Sequence, residues 1–429
     1  MIQLLKGGFN TEDKKRLLSN FFSLSVLQGA NYILPLITLP YLVRVLGPEK
    51  FGLIMFAQAF IQYFVILTDY GFNLSATREI SIHRDNKEKI SEIFSSVMFI
   101  KFVLFILALL IMTVIVFSFE KFKKEWLIYY LTFGMVLGQT LFPVWFFQGM
   151  ERMKYITFLN ITAKLIFTVS IFIFIHQVSD YIYVPLINSL GFLVAGVLSI
   201  YIIFKNFNVK FHFPKLTSIK IQLKEGWHIF ISTVAISLYT VSNTFILGIF
   251  TNNTIVGYYS AAEKIIKAVQ GLLTPISQTI YPYISKLVKE SKEKGIKFLQ
   301  KITFLIGGIS FILSLILFIF ADLVVNFLLG NQYEESISVL RILAFLPFII
   351  ALNNIFGIQT MLTFNYKKAF SQILITASII NILLAFILVP LWQHIGISFT
   401  ILISEIFVTT IMFIYLQIKG IKILEGKIV

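Results

Sequence analysis

Apolar residues run along this chain in blocks of about 20, the length of helix that crosses roughly 30 Å of hydrocarbon, and short polar turns separate them. Six blocks can be laid at 22–44, 51–76, 93–119, 126–148, 155–176 and 181–204. After a polar stretch, six more follow at 227–250, 255–284, 297–320, 336–363, 367–390 and 394–418. The pattern predicts an all-α integral membrane protein of twelve transmembrane helices.

Polar positions inside these blocks are not scattered. In the second block Gln58, Gln62, Asp69 and Asn73 follow Gly52, and in the eighth Glu263, Lys267, Thr274 and Gln278 follow Gly257 at the same offsets, 205 residues later. Steps of four and eleven residues return to one helix face, so each set forms a polar stripe. The same offset carries Gln28, Tyr32, Pro35 and Thr38 onto Thr233, Ser237, Thr240 and Asn243. Further on, Gln148, Met150 and Tyr155 recur 211 residues later as Gln359, Met361 and Tyr366. The chain therefore reads as two repeats of six spans. An even span number returns each repeat to its starting side, which predicts parallel-repeat topology about an axis along the membrane normal.

Charge sets the orientation. Lys and Arg in short loops are retained in the cytoplasm; loops on the side of the termini carry 26 of them and the opposite loops 5. Both termini are expected in the cytoplasm. The resulting plan is an N-terminal tail (1–21), a first six-helix bundle (22–204), a basic cytoplasmic linker (205–226), a second bundle (227–418) and a C-terminal tail (419–429). The first span is longer than a signal-peptide core and is expected to stay as an anchor.

Composition agrees: 57% of residues are hydrophobic and 13% charged, outside the range of a soluble domain. The net charge of +15 follows from the cytoplasmic loops and needs no nucleic-acid partner. Zero cysteines exclude disulfides and thiolate metal sites. The five histidines lie at or near span ends, an interfacial pattern and not a metal site. There is no phosphate-cradling glycine loop and no H-E-x-x-H helix. Nothing suggests an enzyme or a resident cofactor.

Ionisable residues within spans are the functional candidates, since each costs about 2.5–3.5 kcal/mol at the bilayer centre. Lys267 stands one turn from Glu263, where the two can pair, with Lys264 beside them. Lys164 stands one turn from Asn160. Lys101 and Arg341 fall near span ends and are expected to snorkel towards headgroups. Arg44, beside Gly47 and Pro48, either guards an outer mouth or anchors there. Asp69 and Glu405 have no local base and are candidate proton or cation sites, as is Glu263. For each of these residues structural pairing stays open as the alternative.

The run from Asn20 to Arg78, LQGANYILPLITLPYLVRVLGPEKFGLIMFAQAFIQYFVILTDYGFNLSATRE at its heart, together with FPVWFFQGMERMKYI at 142–156, closely resembles Wzx-type polysaccharide (O-antigen or capsule) repeat-unit flippases. These form the polysaccharide-transport branch of the superfamily that also holds multidrug extruders and the peptidoglycan-precursor flippase. The resemblance implies two six-helix bundles around a cationic cavity that carries an undecaprenyl-diphosphate-linked oligosaccharide across the bacterial inner membrane. It also implies a polysaccharide polymerase and a chain-length regulator as pathway partners. On that reading Lys164, Lys264 and Lys267, with Arg44, meet the diphosphate. Gln58, Gln62, Asn73 and Gln278 hydrogen-bond sugar hydroxyls, and Asp69, Glu263 or Glu405 couples H⁺ or Na⁺. The alternatives are an ion-coupled small-molecule antiporter and a non-transporting membrane assembly factor.

Overall fold

The computed structural model describes residues 11–423, with side chains except those of 11–19, 21, 24, 25, 235, 236, 238–240, 274–276, 278 and 279. Among the described residues there is no β-strand. The helices in order are α1 (Thr11–Asp69), α2 (Phe72–Ile82), α3 (Lys87–Ser118), α4 (Glu120–Lys123), α5 (Trp126–Thr140), α6 (Val144–Gly149), α7 (Met153–Phe174) and α8 (Tyr183–Phe207). They continue as α9 (Leu216–Thr240), α10 (Ser242–Phe250), α11 (Asn253–Glu290), α12 (Lys292–Ile319), α13 (Ala321–Leu328), α14 (Ser336–Leu343), α15 (Leu346–Asn353), a π-helical segment (Asn354–Leu362) and α16 (Lys367–Ile418).

Among the described residues, eight helical stretches are long and apolar enough to cross a membrane, which makes this a multi-pass membrane protein. Two of them, Val26–Ile82 with 57 residues and Lys367–Ile418 with 52, far exceed one crossing. Each contains a break. Gly47 takes φ 70 inside α1, just before Pro48, and Gln393 takes φ 49 inside α16. At Gln393 the chain doubles back: the Asn381 amide donates to the Ser404 hydroxyl at 3.2 Å, although a straight helix would hold them about 35 Å apart. Of the other expected spans, 227–250 falls on α9 and α10, which meet at a turn at Val241, and 255–284 falls on α11.

The chain divides into two compact units. Unit 1 comprises the chain up to Thr38 together with Ala57–Val234, and unit 2 comprises Leu39–Phe56 together with the chain from Ala235 onward.

In unit 1, small residues let helices approach closely, as suits association in lipid. A methyl group at Gly138 of α5 would lie 2.5 Å from the Phe192 backbone of α8, and one at Gly191 of α8 would lie 2.8 Å from the Ala163 carbonyl of α7. The FPVWFF run supplies the core: Trp145, Phe146 and Phe147 of α6 are fully buried, and Phe94 of α3 meets Phe146 edge-on at 5.8 Å. Asn20 of α1 ties down the following turn, donating to the Glu151 carbonyl at 3.1 Å and accepting from the Met153 N–H at 3.2 Å.

The stretch 205–226 is helical to Phe207 and again from Leu216 onward, and Ile219 and Leu223 pack on the unit 1 core. Their four-residue spacing places both on one face, a period that the interspersed lysines obscure. Ser218 of the same turn donates to Glu92 at 2.5 Å.

In unit 2 the repeat-matched glycines meet. A methyl at Gly52 would lie 1.8 Å from the Asn253 carbonyl oxygen, and one at Gly257 would lie 2.0 Å from that of Pro48. Advancing by 205 turns Pro48 into Asn253 and Gly52 into Gly257, so the two contacts are one contact made twice. That is the mark of a local two-fold relation.

Candidate functional site: a charged cavity in unit 1

The end of α1 is set by backbone geometry. Tyr70 (φ 48) and Gly71 (φ 77) adopt left-handed conformations that stop α1 at Asp69 and start α2 at Phe72. Gly71 is needed twice over, because a methyl there would also strike Ile229 of α9 at 2.7 Å. The Tyr70 ring stacks on Phe230 at 4.8 Å. The stripe of α1 therefore ends at a fixed break, with Asp69 on one side and Asn73 on the other.

Opposite them stands Lys101 of α3. Its ammonium lies 3.5 Å from Asp69 Oδ1, and its side chain is only 4% exposed. Asn73 donates to the second oxygen, Asp69 Oδ2, at 2.8 Å. Both carboxylate oxygens are thus engaged. Beside the pair is a cavity of about 290 Å³, and Gln62, Thr68, Asp69, Asn73, Lys101, Gln139, Asn160 and Thr233 contribute its polar wall. Asn160 spends its amide on the Ile156 carbonyl at 3.0 Å and Thr68 its hydroxyl on the Val65 carbonyl at 3.0 Å. At about 4 Å and an effective dielectric near 20, a charge pair is worth roughly 4 kcal/mol before desolvation. Removing one partner of a buried pair strands the other. The arrangement can exchange a carboxylate for another anion on Lys101, or a lysine for another cation on Asp69.

Lys101 is a correction to the sequence reading, which has it snorkelling from a span end. Asn86 caps α3, accepting the Lys89 N–H at 3.0 Å, so the helix begins at Lys87. Lys101 then lies about 21 Å along it, too deep to reach its N-terminal end. Asp69, without a base at i±3 or i±4, finds one on another helix. The available signal was the length of the helical pattern upstream of residue 93.

Of the other expected residues, Gln62, Asp69 and Asn73 meet at this cavity. Gln58, one turn before Gln62, is half-buried in unit 1, and Lys164 of α7 is half-buried one turn from Asn160. In unit 2, Glu263 accepts from Lys267 at 2.9 Å and from the Tyr259 hydroxyl at 3.1 Å, with the Lys267 side chain 57% exposed and Lys264 half-buried beside it. Arg44 donates to the Phe327 carbonyl, while Gln332 holds the Val43 and Arg44 carbonyls at 3.0 and 3.1 Å. Arg44 is thus built into a turn-to-helix junction. Glu405 accepts from the Asn353 amide, whose oxygen accepts from Thr409 at 2.8 Å. Arg341 pairs with Asp322. The side chain of Gln278 lies outside the described residues.

Comparison with known proteins fits this anatomy. The fold is shared with an inward-facing multidrug-resistance MATE transporter of the MOP superfamily (TM-score 0.68, 14% identity, 92% of this chain and 96% of that one). It is shared likewise with the lipid II flippase MurJ in an inward closed conformation (TM-score 0.66, 14% identity, 95% and 90%). In sequence, the chain is 39% identical over 405 residues to a protein of Escherichia coli K12 named "Putative O-antigen transporter", spanning 94% of this chain and 98% of that protein. A protein of the same name from Shigella dysenteriae is 30% identical over 92% of this chain and 98% of its own length. The model of the family described as "Polysaccharide biosynthesis protein" matches residues 17–288. With that match over more than half its length, the chain belongs to the polysaccharide biosynthesis protein family.

Proposed function

We propose that this protein is a flippase, moving undecaprenyl-diphosphate-linked oligosaccharide repeat units across the bacterial cytoplasmic membrane by alternating access. The observation that carries the reading is the Lys101–Asp69 pair beside a polar cavity, on helical stretches long and apolar enough to cross a membrane. A buried pair of this kind is costly and marks a transport path. The names of the two full-length relatives support a polysaccharide cargo.

In this reading the protein has twelve spans in two six-helix halves, related by parallel-repeat topology, with both termini cytoplasmic. The breaks at Gly47 and Gln393 separate spans within the two longest stretches. The reciprocal Gly52–Gly257 contact supports the repeat.

Lys101 and Lys164 of unit 1 attract the diphosphate, and Lys264 and Lys267 of unit 2 are candidates for the same role. An incoming phosphate displaces Asp69 from Lys101, and the released carboxylate takes up H⁺ or Na⁺. Anion arrival is thereby linked to cation uptake at one residue. Gln58, Gln62, Asn73 and Gln278 serve sugar hydroxyls, and the polyprenyl tail stays in lipid.

The experiment is transfer of a labelled undecaprenyl-diphosphate-linked oligosaccharide in proteoliposomes, with and without a proton or sodium gradient. Gradient-dependent transfer, lost in Lys101→Met, is expected. The Asp69 carboxylate at the cavity also suits a cation antiporter. Gradient-dependent extrusion of a cationic dye without transfer of the glycolipid would favour that reading and overturn the flippase.

A further inference from the structure

The segment that joins α8 to α9 is basic and apolar at once. Asn208 closes α8 in a left-handed conformation (φ 53), and no regular element follows until Leu216. From Asn208 to Lys224 the chain carries four lysines and no acidic residue. Lys210, Lys215, Lys220 and Lys224 are all exposed. Apolar side chains stand uncovered among them: Phe213 is 86% exposed, Leu216 66% and Ile221 55%.

The backbone of this segment is fastened to α3. The Lys210 N–H donates to the Ser91 hydroxyl at 3.2 Å, and the His212 N–H donates to the Ser95 hydroxyl at 3.0 Å. One turn further along α3, the Phe213 ring meets Phe99 at 6.4 Å. The segment thus follows α3 for two turns, about 12 Å, before Ser218 brings the chain back to Glu92. Phe213, followed by Pro214, is the tip of this loop.

The direction of the loop decides what its tip meets. Lys87 and Glu88 form the polar end of α3, whereas Phe102, Val103, Ile106 and Leu107 are exposed and apolar further along it. In a multi-pass membrane protein that face is covered by lipid. The loop runs from the polar end and stops at Phe99, within one turn of the apolar face. Its ring therefore reaches the acyl boundary while the lysines stay at the level of the headgroups, where a positive charge gains from anionic lipid. The nearby acids are committed to other groups. Glu92 is held by Lys89 at 2.8 Å and by Ser218 at 2.5 Å, and Glu225 faces Arg78 at 3.9 Å.

We propose that residues 208–224 form a binding site for anionic phospholipid. Phe211 and Phe213 wedge into the acyl boundary of the leaflet, and Lys210, Lys215 and Lys220 hold headgroup phosphates. The site is distinct from the Lys101–Asp69 cavity and does not depend on what the protein transports.

The chain has no cysteine, which makes a single thiol label a clean probe. A nitroxide on Phe213→Cys, in full-length protein in proteoliposomes, should meet dissolved oxygen more readily than a water-soluble nickel chelate. A nitroxide on Glu88→Cys, at the polar end of α3, should show the reverse. Preference for the chelate at position 213 would put the loop in water, and shielding from both reagents would put protein over it, a second copy or a partner. Either result overturns the wedge. The headgroup site is tested by binding of phosphatidylglycerol and of phosphatidylcholine to purified protein in detergent. Lys210→Gln, Lys215→Gln and Lys220→Gln combined should weaken phosphatidylglycerol binding at least about tenfold, since one lysine near an anionic surface is worth about fivefold. Binding of phosphatidylcholine should stay as in wild type, and thermal unfolding controls for folding. Unchanged binding of phosphatidylglycerol, or equal loss of both lipids, overturns the site.

Discussion

The two polar stripes begin at matched glycines and run at matched spacings, yet they neutralise their charges differently. In unit 1 the carboxylate of α1 pairs with a lysine of α3, 32 residues away, and the lysine is almost wholly buried. In unit 2 Glu263 pairs with Lys267 one turn along the same helix, and the lysine is more than half exposed. A pair that joins two helices holds their register and fails expensively when broken. A pair within one helix holds little. The first therefore ties two helices together, while the second leaves Lys267 exposed at small structural cost.

The contrast can be broken by mutation. The largest effect is expected at Lys101→Met, which strands the Asp69 carboxylate and should cost about 3 kcal/mol, the lower end for a broken buried pair. Asp69 is 22% exposed, which limits the loss. The double variant with Asp69→Asn should regain most of that stability in denaturant or thermal unfolding, and additive losses would show that the two residues do not interact. A much smaller effect is expected at Lys267→Met, within about 0.5 kcal/mol of wild type, as for an exposed i, i+4 pair. Glu263 keeps its hydrogen bond from Tyr259 in that variant. Its glycolipid transfer should nonetheless fall, so stability and transport separate at Lys267 and fall together at Lys101. Equal destabilisation by the two lysine changes would erase the distinction between the stripes.

The same contrast explains what was legible in the sequence. The Glu263–Lys267 pair, the turns at Gly47 and near Gln393, and the α-helical class rest on neighbours in sequence, and periodicity exposes them. The family resemblance of Asn20–Arg78 and 142–156 was legible as well, and its FPVWFF run proves to be core. Lys101 was misread because its depth depends on where α3 begins, a matter settled by the Asn86 cap, and because its partner lies on another helix. The helix from Leu216 was hidden by lysines on its outer face. No pattern of residue types announces the π-helical winding of Asn354–Leu362, so the hydrogen bonds among Ser277, Asn354 and Gln359 could not be foreseen from the repeat match of Gln148 and Gln359.

The central claim is that Lys101 is held by Asp69 in place of an anionic headgroup. The most direct measurement is the affinity of purified protein for undecaprenyl diphosphate in wild type, Lys101→Met and Asp69→Asn. Removing the internal competitor in Asp69→Asn should tighten binding while gradient-driven transfer is lost, and Lys101→Met should weaken binding by about tenfold or more. Unchanged affinity in both variants, with the proteins folded, would contradict the account and return the pair to a purely structural role.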